Sequence, residues 1–192
     1  MKKVSLMLLL AVSTLSFQAC SSKKSESTDS VENAENANEA KEDAGTAPDE
    51  NTTEFAVKAA NGGMMEVELG RLAQEKAASK DVKDFGAMMV KDHSMANDEL
   101  KNIAATQNIT LPATLGEDEQ KHVNELAKLS GKEFDKKYVS MMVDDHKDDI
   151  DEFKKAAEND KTNPAVKDFA TKTLPTLQKH LDAITAIDKS MK

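Results

Sequence analysis

The 192-residue chain has one cysteine, no tryptophan, one tyrosine, seven glycines and four prolines. A single cysteine leaves no partner for an internal disulfide. Aromatic residues make up only 4% of the chain, and no β-branched alternation marks a strand, so a sheet-based core has little to be built from. Basic residues number 26 against 35 acids, a net charge of −9. With no basic patch, that balance argues against nucleic acid and against electrostatic attachment to anionic lipid. Enzyme signatures are missing as well: there is no glycine-rich phosphate loop, no Gly-x-Ser-x-Gly and no cysteine nucleophile beside a histidine.

What is present begins with a targeting segment. Lys2 and Lys3 precede an apolar run of 14 residues, Val4 to Phe17, too short to span a bilayer comfortably. The frame Ser16-Phe17-Gln18-Ala19-Cys20 resembles the lipobox of bacterial lipoproteins, with Phe17 where leucine is usual and Gln18 where a smaller residue is common. That resemblance implies cleavage after residue 19 and a lipid on Cys20, which gives a lone cysteine a use. The alternative is an ordinary cleaved signal with an incidental cysteine. Residues 21–51 carry nine acids against three lysines and one aliphatic side chain larger than alanine, Val31. Such a segment buries too little apolar surface to offset ordering its backbone. The expectation is a disordered acidic tether over residues 20–51.

The remainder, residues 52–192, is the length of one domain with one core. Its apolar residues recur at three and four, the helical period. A first helix is expected from Thr52 or Thr53, with stripe Phe55, Ala59, Gly62, Glu66, Leu69, Ala73, Ala77; the Gly62-Gly63 pair marks a kink or a close helix approach. A second runs from Ser79 to before Asn108, a short one from about Gly116 to Leu129, and a third long one from Glu133 to Ala157. The fourth starts at Thr162-Asn163-Pro164, and Pro175 is expected to bend it. The predicted fold is all-α: an antiparallel four-helix bundle with a short extra helix in the crossover between long helices two and three.

Residues 85–100, FGAMMVKDHSMANDEL, repeat as residues 138–153, YVSMMVDDHKDDIDEF, at an offset of 53. Both copies place Asp-His at the edge of an apolar stripe. His93, His146 and His180 fall one per long helix, and the remaining long helix offers Glu66. Imidazole and carboxylate on four inward faces are the donors a bundle uses for zinc, copper or iron. Metal-bound imidazoles are commonly oriented by a neighbouring carboxylate, so Asp92, Asp135, Asp145 and Asp149 are the supporting candidates. Met64-Met65, Met88-Met89 and Met141-Met142 add thioethers that suit copper, although methionine more often fills a core. His122 lies among polar residues and reads as solvated. The Glu-x-x-His pairs of di-iron bundles are missing, since Val90, Val143 and Leu177 stand three before the histidines.

Taken in order, Met65-Glu66-Val67-Glu68-Leu69-Gly70, Phe85-x3-Met89-Val90-x-Asp92-His93, Leu129-Ser130-Gly131-x2-Phe134-Asp135-x2-Tyr138 leading to His146, and Thr173-Leu174-Pro175 before His180 resemble an exported bacterial domain-of-unknown-function family of the ferritin-like superfamily. The resemblance covers about residues 53–190. It implies a ferritin-like bundle in the cell envelope, at the outer membrane or in the periplasm, and implies no reaction. Three functions remain open: a lipid-anchored envelope protein that binds a transition metal or serves in envelope stress, a structural or interaction module whose histidine–carboxylate pairs lock the bundle, and, as the weakest, an enzyme with a metal-bound water, which would need an open coordination position and a pocket.

Overall fold

The helical period is realised in six helices in the computed structural model, which describes residues 29–191. They are α1 (Ser30–Asp43), α2 (Glu50–Lys76), α3 (Lys80–Thr106), α4 (Glu117–Ala127), α5 (Gly131–Glu158) and α6 (Pro164–Ser190). The signal segment and Cys20 lie outside the described residues.

Short links make α2–α3 and α5–α6 helical hairpins. The ends fix the remaining directions. Ala77 at the end of α2 bridges Gly131 at the start of α5. Asn163 at the start of α6 reaches both ends it should meet: its backbone N–H donates to Thr52 Oγ1 at 2.9 Å and its side chain donates to Gln107 Oε1 at 2.8 Å. Adjacent long helices are therefore antiparallel, and the diagonal pair α3 and α5 runs parallel. The crossover between α3 and α5 carries α4, which packs on α2. The all-helical antiparallel bundle expected from the periodicity, with a short helix in its crossover, is what forms.

Some helix starts follow local rules. Asp49 caps α2, accepting from Asn51 N at 3.0 Å, so that helix begins at Glu50, two and three residues before the threonines expected to start it. Thr52 and Thr53 are instead buried. Asn163 caps α6, with Pro164 in its first turn. Helix α6 runs unbroken through Pro175. The Gly62-Gly63 pair lies within an unbroken α2, and Gly63 marks the close approach: a Cβ there would meet the Asn97 side chain of α3. Closer still is the crossing of Gly70 and Gly86. A Cβ on Gly86 would sit 2.7 Å from the Gly70 carbonyl oxygen, so α2 and α3 touch backbone to backbone.

The tether expectation is corrected from Asp29 onward, because Ser30–Asp43 is helical and docked. Its anchor is polar. Asn38, 2% exposed, donates to Thr110 O at 2.9 Å and accepts from Thr110 N at 2.7 Å, satisfying the crossover's backbone. Asp29 Oδ2 accepts from Glu117 N at 2.5 Å, which serves the start of α4. Hydrogen bonds to a distant loop replace the apolar face that the segment lacks.

The apolar core divides in two. One cluster gathers Leu69, Phe85, Met89, Phe134, Tyr138, Met142 and Ile184; the other gathers Phe55, Leu100, Ile150, Phe153, Phe169 and Leu177. Each long helix contributes to both; in α3, α5 and α6 the switch falls at His93, His146 or His180, and in α2 it falls between Ala60 and Met65, just before Glu66. The bundle is thus two apolar compartments with a polar layer between them.

Candidate metal centre

The polar layer places all four of the candidate ligands together. Glu66 is 1% exposed, His93 6%, and His146 and His180 0%. The repeat explains the level: it sits on the two parallel, diagonal helices, so equal spacing from Phe85 and Tyr138 brings His93 and His146 to the same height. Their ring centroids are 5.9 Å apart, and His180 lies 5.2 and 5.4 Å from them. Phe85 presents its ring edge-on to His146 and His180, closing one side.

Proton positions follow from the partners. His146 Nδ1 faces the Met142 carbonyl oxygen at 3.0 Å, which only accepts, so Nδ1 carries the hydrogen and Nε2 is bare. His180 Nε2 donates to Asp92 Oδ2 at 3.1 Å, leaving Nδ1 bare. These two bare nitrogens face each other at 3.4 Å. His93 Nε2 is the third, 3.3 Å from His180 Nδ1. Its other nitrogen, Nδ1, meets Glu66 Oε2 at 2.6 Å.

By distance the Glu66–His93 contact is an ion pair, yet burial holds both groups neutral. Burial pushes Glu66 well above the ordinary carboxyl range. It pushes His93 down to about 4, against the opposing charges of Asp149 and Asp92, and His146 down to about 3. The contact is therefore a hydrogen bond between neutral groups. With the proton on Glu66, His93 Nε2–H donates to His180. With His93 in its other neutral tautomer, Nδ1 carrying the hydrogen toward Glu66 Oε2 and Nε2 having given up its own, three bare nitrogens converge.

Two edges of that convergence have the dimensions of a metal site, and the three histidines offer ligand atoms within 4.8 Å of one another. With metal–nitrogen bonds of about 2.0–2.1 Å, neighbouring nitrogens on a tetrahedral zinc ion lie about 3.3–3.4 Å apart. His146 Nε2 to His180 Nδ1 and His93 Nε2 to His180 Nδ1 match that edge. Each ring is oriented from behind, by Glu66, by the Met142 carbonyl and by Asp92. Glu66 thus holds His93 through Oε2, while Oε1 lies 3.5 Å from His146 Nε2.

The supporting acids are partly reassigned. Asp92 orients His180 across the bundle and not the adjacent His93. Asp145 approaches Glu66 and His146: the three offer ligand atoms within 4.8 Å of one another. Asp149 acts on His93 and Glu66 through its charge. Asp135 does not support the site. Its two oxygens accept from Ala78 N at 3.0 Å and Ser79 N at 2.9 Å, where α2 turns into α3. Met89 and Met142 are fully buried in the core, and His122 is exposed. Periodicity missed the Met142 carbonyl, a backbone group, and the hydroxyl of Tyr138, which lies near Glu66 and Asp145.

Residues 37–187 match the model of a domain of unknown function, DUF4142. The chain belongs to that family. Among curated proteins none matches the sequence. Two crystal structures share the fold. A DUF305 fragment from Deinococcus radiodurans superposes with a TM-score of 0.63 at 10% identity, over 73% of this chain and 97% of that one. A DUF305 protein from Streptomyces coelicolor, described as a candidate secreted protein, gives 0.62 at 11% identity, over 74% and 96%.

Proposed function

We propose that this protein is a lipid-anchored component of the bacterial envelope, facing the periplasm from the outer membrane, whose ferritin-like bundle holds one transition-metal ion between its two cores. The observation that carries the metal reading is the trio of nitrogens of His93, His146 and His180, spaced 3.3 and 3.4 Å along its two recorded edges, with an acceptor behind each ring. Imidazole nitrogen suits zinc, copper and iron alike. The candidate lipobox supports the anchor, and the likeness to a candidate secreted protein agrees with export. No helix among the described residues is long and apolar enough to cross a membrane. The role is binding, not turnover.

The test is elemental analysis and melting of protein purified without chelator, then loaded in turn with zinc, copper and iron. Wild type is expected to hold about one equivalent and to melt higher when loaded, because a ligand bound only by the native state stabilises it. A His93→Ala/His146→Ala variant is expected to hold none. Wild type free of metal under all three loadings would leave the rival reading, in which Glu66–His93 and Asp92–His180 merely fasten helices.

A further inference from the structure

Four buried side-chain polar atoms among the described residues lack a hydrogen-bond partner: Glu66 Oε1, Asp145 Oδ2, Tyr138 Oη and Thr162 Oγ1. Buried polar atoms are rarely left unpaired, so each calls for an explanation. Three of these four belong to one neighbourhood. Glu66, Asp145 and His146 offer ligand atoms within 4.8 Å of one another, and the carboxyls of Glu66 and Asp145 act electrostatically on the Tyr138 hydroxyl. When both carboxyls are ionised, the two orphaned oxygens have no donor; one proton shared between them pairs both, and a cation can take that proton's place.

This neighbourhood is also where the outside reaches the polar layer. A cleft of about 470 Å³ lies between α1, α2, α4 and α5. Glu32 and Glu35 line it from α1 and Glu117 from α4, while Asp145 and Asp149 line it from α5. Its one basic side chain, Lys58, is paired with Glu54 at 2.6 Å. A cleft lined by one sign of charge concentrates the opposite sign and speeds its arrival. Asp145 therefore belongs at once to the cleft wall and to the carboxyl set, and His146 belongs at once to that set and to the three-histidine set.

We infer that Glu66, Asp145 and His146 form a second cation position at the inner end of the acidic cleft, which takes up a divalent first-row metal ion and passes it to His93, His146 and His180. The inference rests on the metal reading of the histidines. Carboxylate oxygens with one imidazole suit a hydrated divalent ion, which sheds water stepwise as protein donors replace it; the nitrogen-only set then retains it. Because His146 is common to both sets, transfer exchanges Glu66 and Asp145 for His93 and His180 without releasing the ion. Glu66 then turns to holding His93 Nδ1.

Cobalt(II) is the probe, because its visible bands report donor type and geometry. The full chain is mixed with cobalt(II) in a stopped-flow spectrometer, and the rise of the tetrahedral bands is timed. Asp145→Asn keeps the shape and removes the charge and one oxygen donor. It is expected to slow the rise at least tenfold, while the endpoint spectrum still reports three nitrogen donors. Asp160→Asn, a fully exposed acid away from the cleft, removes the same charge and is expected to load at the wild-type rate. Melting curves confirm that both variants fold. If Asp145→Asn loads as fast as wild type, or slows no more than Asp160→Asn, the second position is overturned and the histidine site stands. If wild type itself develops no tetrahedral bands, both fall together.

Discussion

At the residue scale, the polar layer makes the protein's stability depend on pH in opposite senses. Histidine in an unfolded chain titrates near about 6.5, whereas His93 is held at about 4 and His146 at about 3, chiefly by burial. As pH falls below about 6.5 the unfolded chain takes up protons first, so the stability they contribute drains away down to about 4 for His93 and about 3 for His146. Glu66, Asp145 and Asp149 are pushed above the carboxyl range, again chiefly by burial. There the folded protein keeps protons that the unfolded chain releases, so their contribution is full at low pH. It declines as pH rises from about 4 toward their folded values. The two sets oppose each other over the range in which the unfolded histidines titrate, up to about 6.5. Urea unfolding of chelator-treated protein is expected to show stability falling as pH rises above about 4, three carboxyls losing protons against two histidines. Glu66→Gln is expected to flatten that fall. Stability rising steadily through that range would contradict the assignment.

At the scale of elements, the sequence showed where helices lie more readily than how they begin. Helix α3 follows Ser79, a good capping residue by type, yet no side-chain cap forms there. Asp135, 56 and 57 positions away in sequence, caps the start instead, joining the α2–α3 turn to α5. Removing it exposes two backbone donors and loosens the contact between hairpins. Asp135→Ala is expected to cost about 1–2 kcal/mol in chemical denaturation, the range of a lost cap, and to leave metal content unchanged. A loss of metal in a variant that still folds would return Asp135 to the site. Helix α1 teaches the same lesson from the other side. Its residues are acidic and small, so composition reads it as unfolded, and only Thr110 in the distant crossover gives Asn38 its partner.

At the scale of the whole molecule, two apolar compartments enclose a layer that would be expensive without partners. A buried carboxyl and three buried imidazoles are tolerable because each is hydrogen-bonded across helices or to backbone. An ion in that layer would tie all four long helices at mid-height, which is the reason loading should raise the melting temperature. The anchor belongs to this scale too. If Cys20 carries lipid, Cys20→Ala is expected to move the protein from the membrane fraction to the soluble periplasmic fraction. Unchanged membrane fractionation would count against lipidation.

What the sequence alone determined is what repeats along one helix. A period near 3.6 marked the four long helices, and the doubled Met-Met-Val-x-Asp-His placed a histidine at the same step of two stripes. The same period set Glu66 and His180 on the inner faces of the other two. These are local facts, carried by backbone geometry within a few turns. The tertiary structure decided what meets across the bundle: Asp92 with His180 over 88 positions, Glu66 with His93, Asn38 with Thr110. It also decided which ring nitrogens are bare, because that depends on the acceptor behind each ring. A stripe says that a side chain points inward; only the packing of four helices says which atom it finds there.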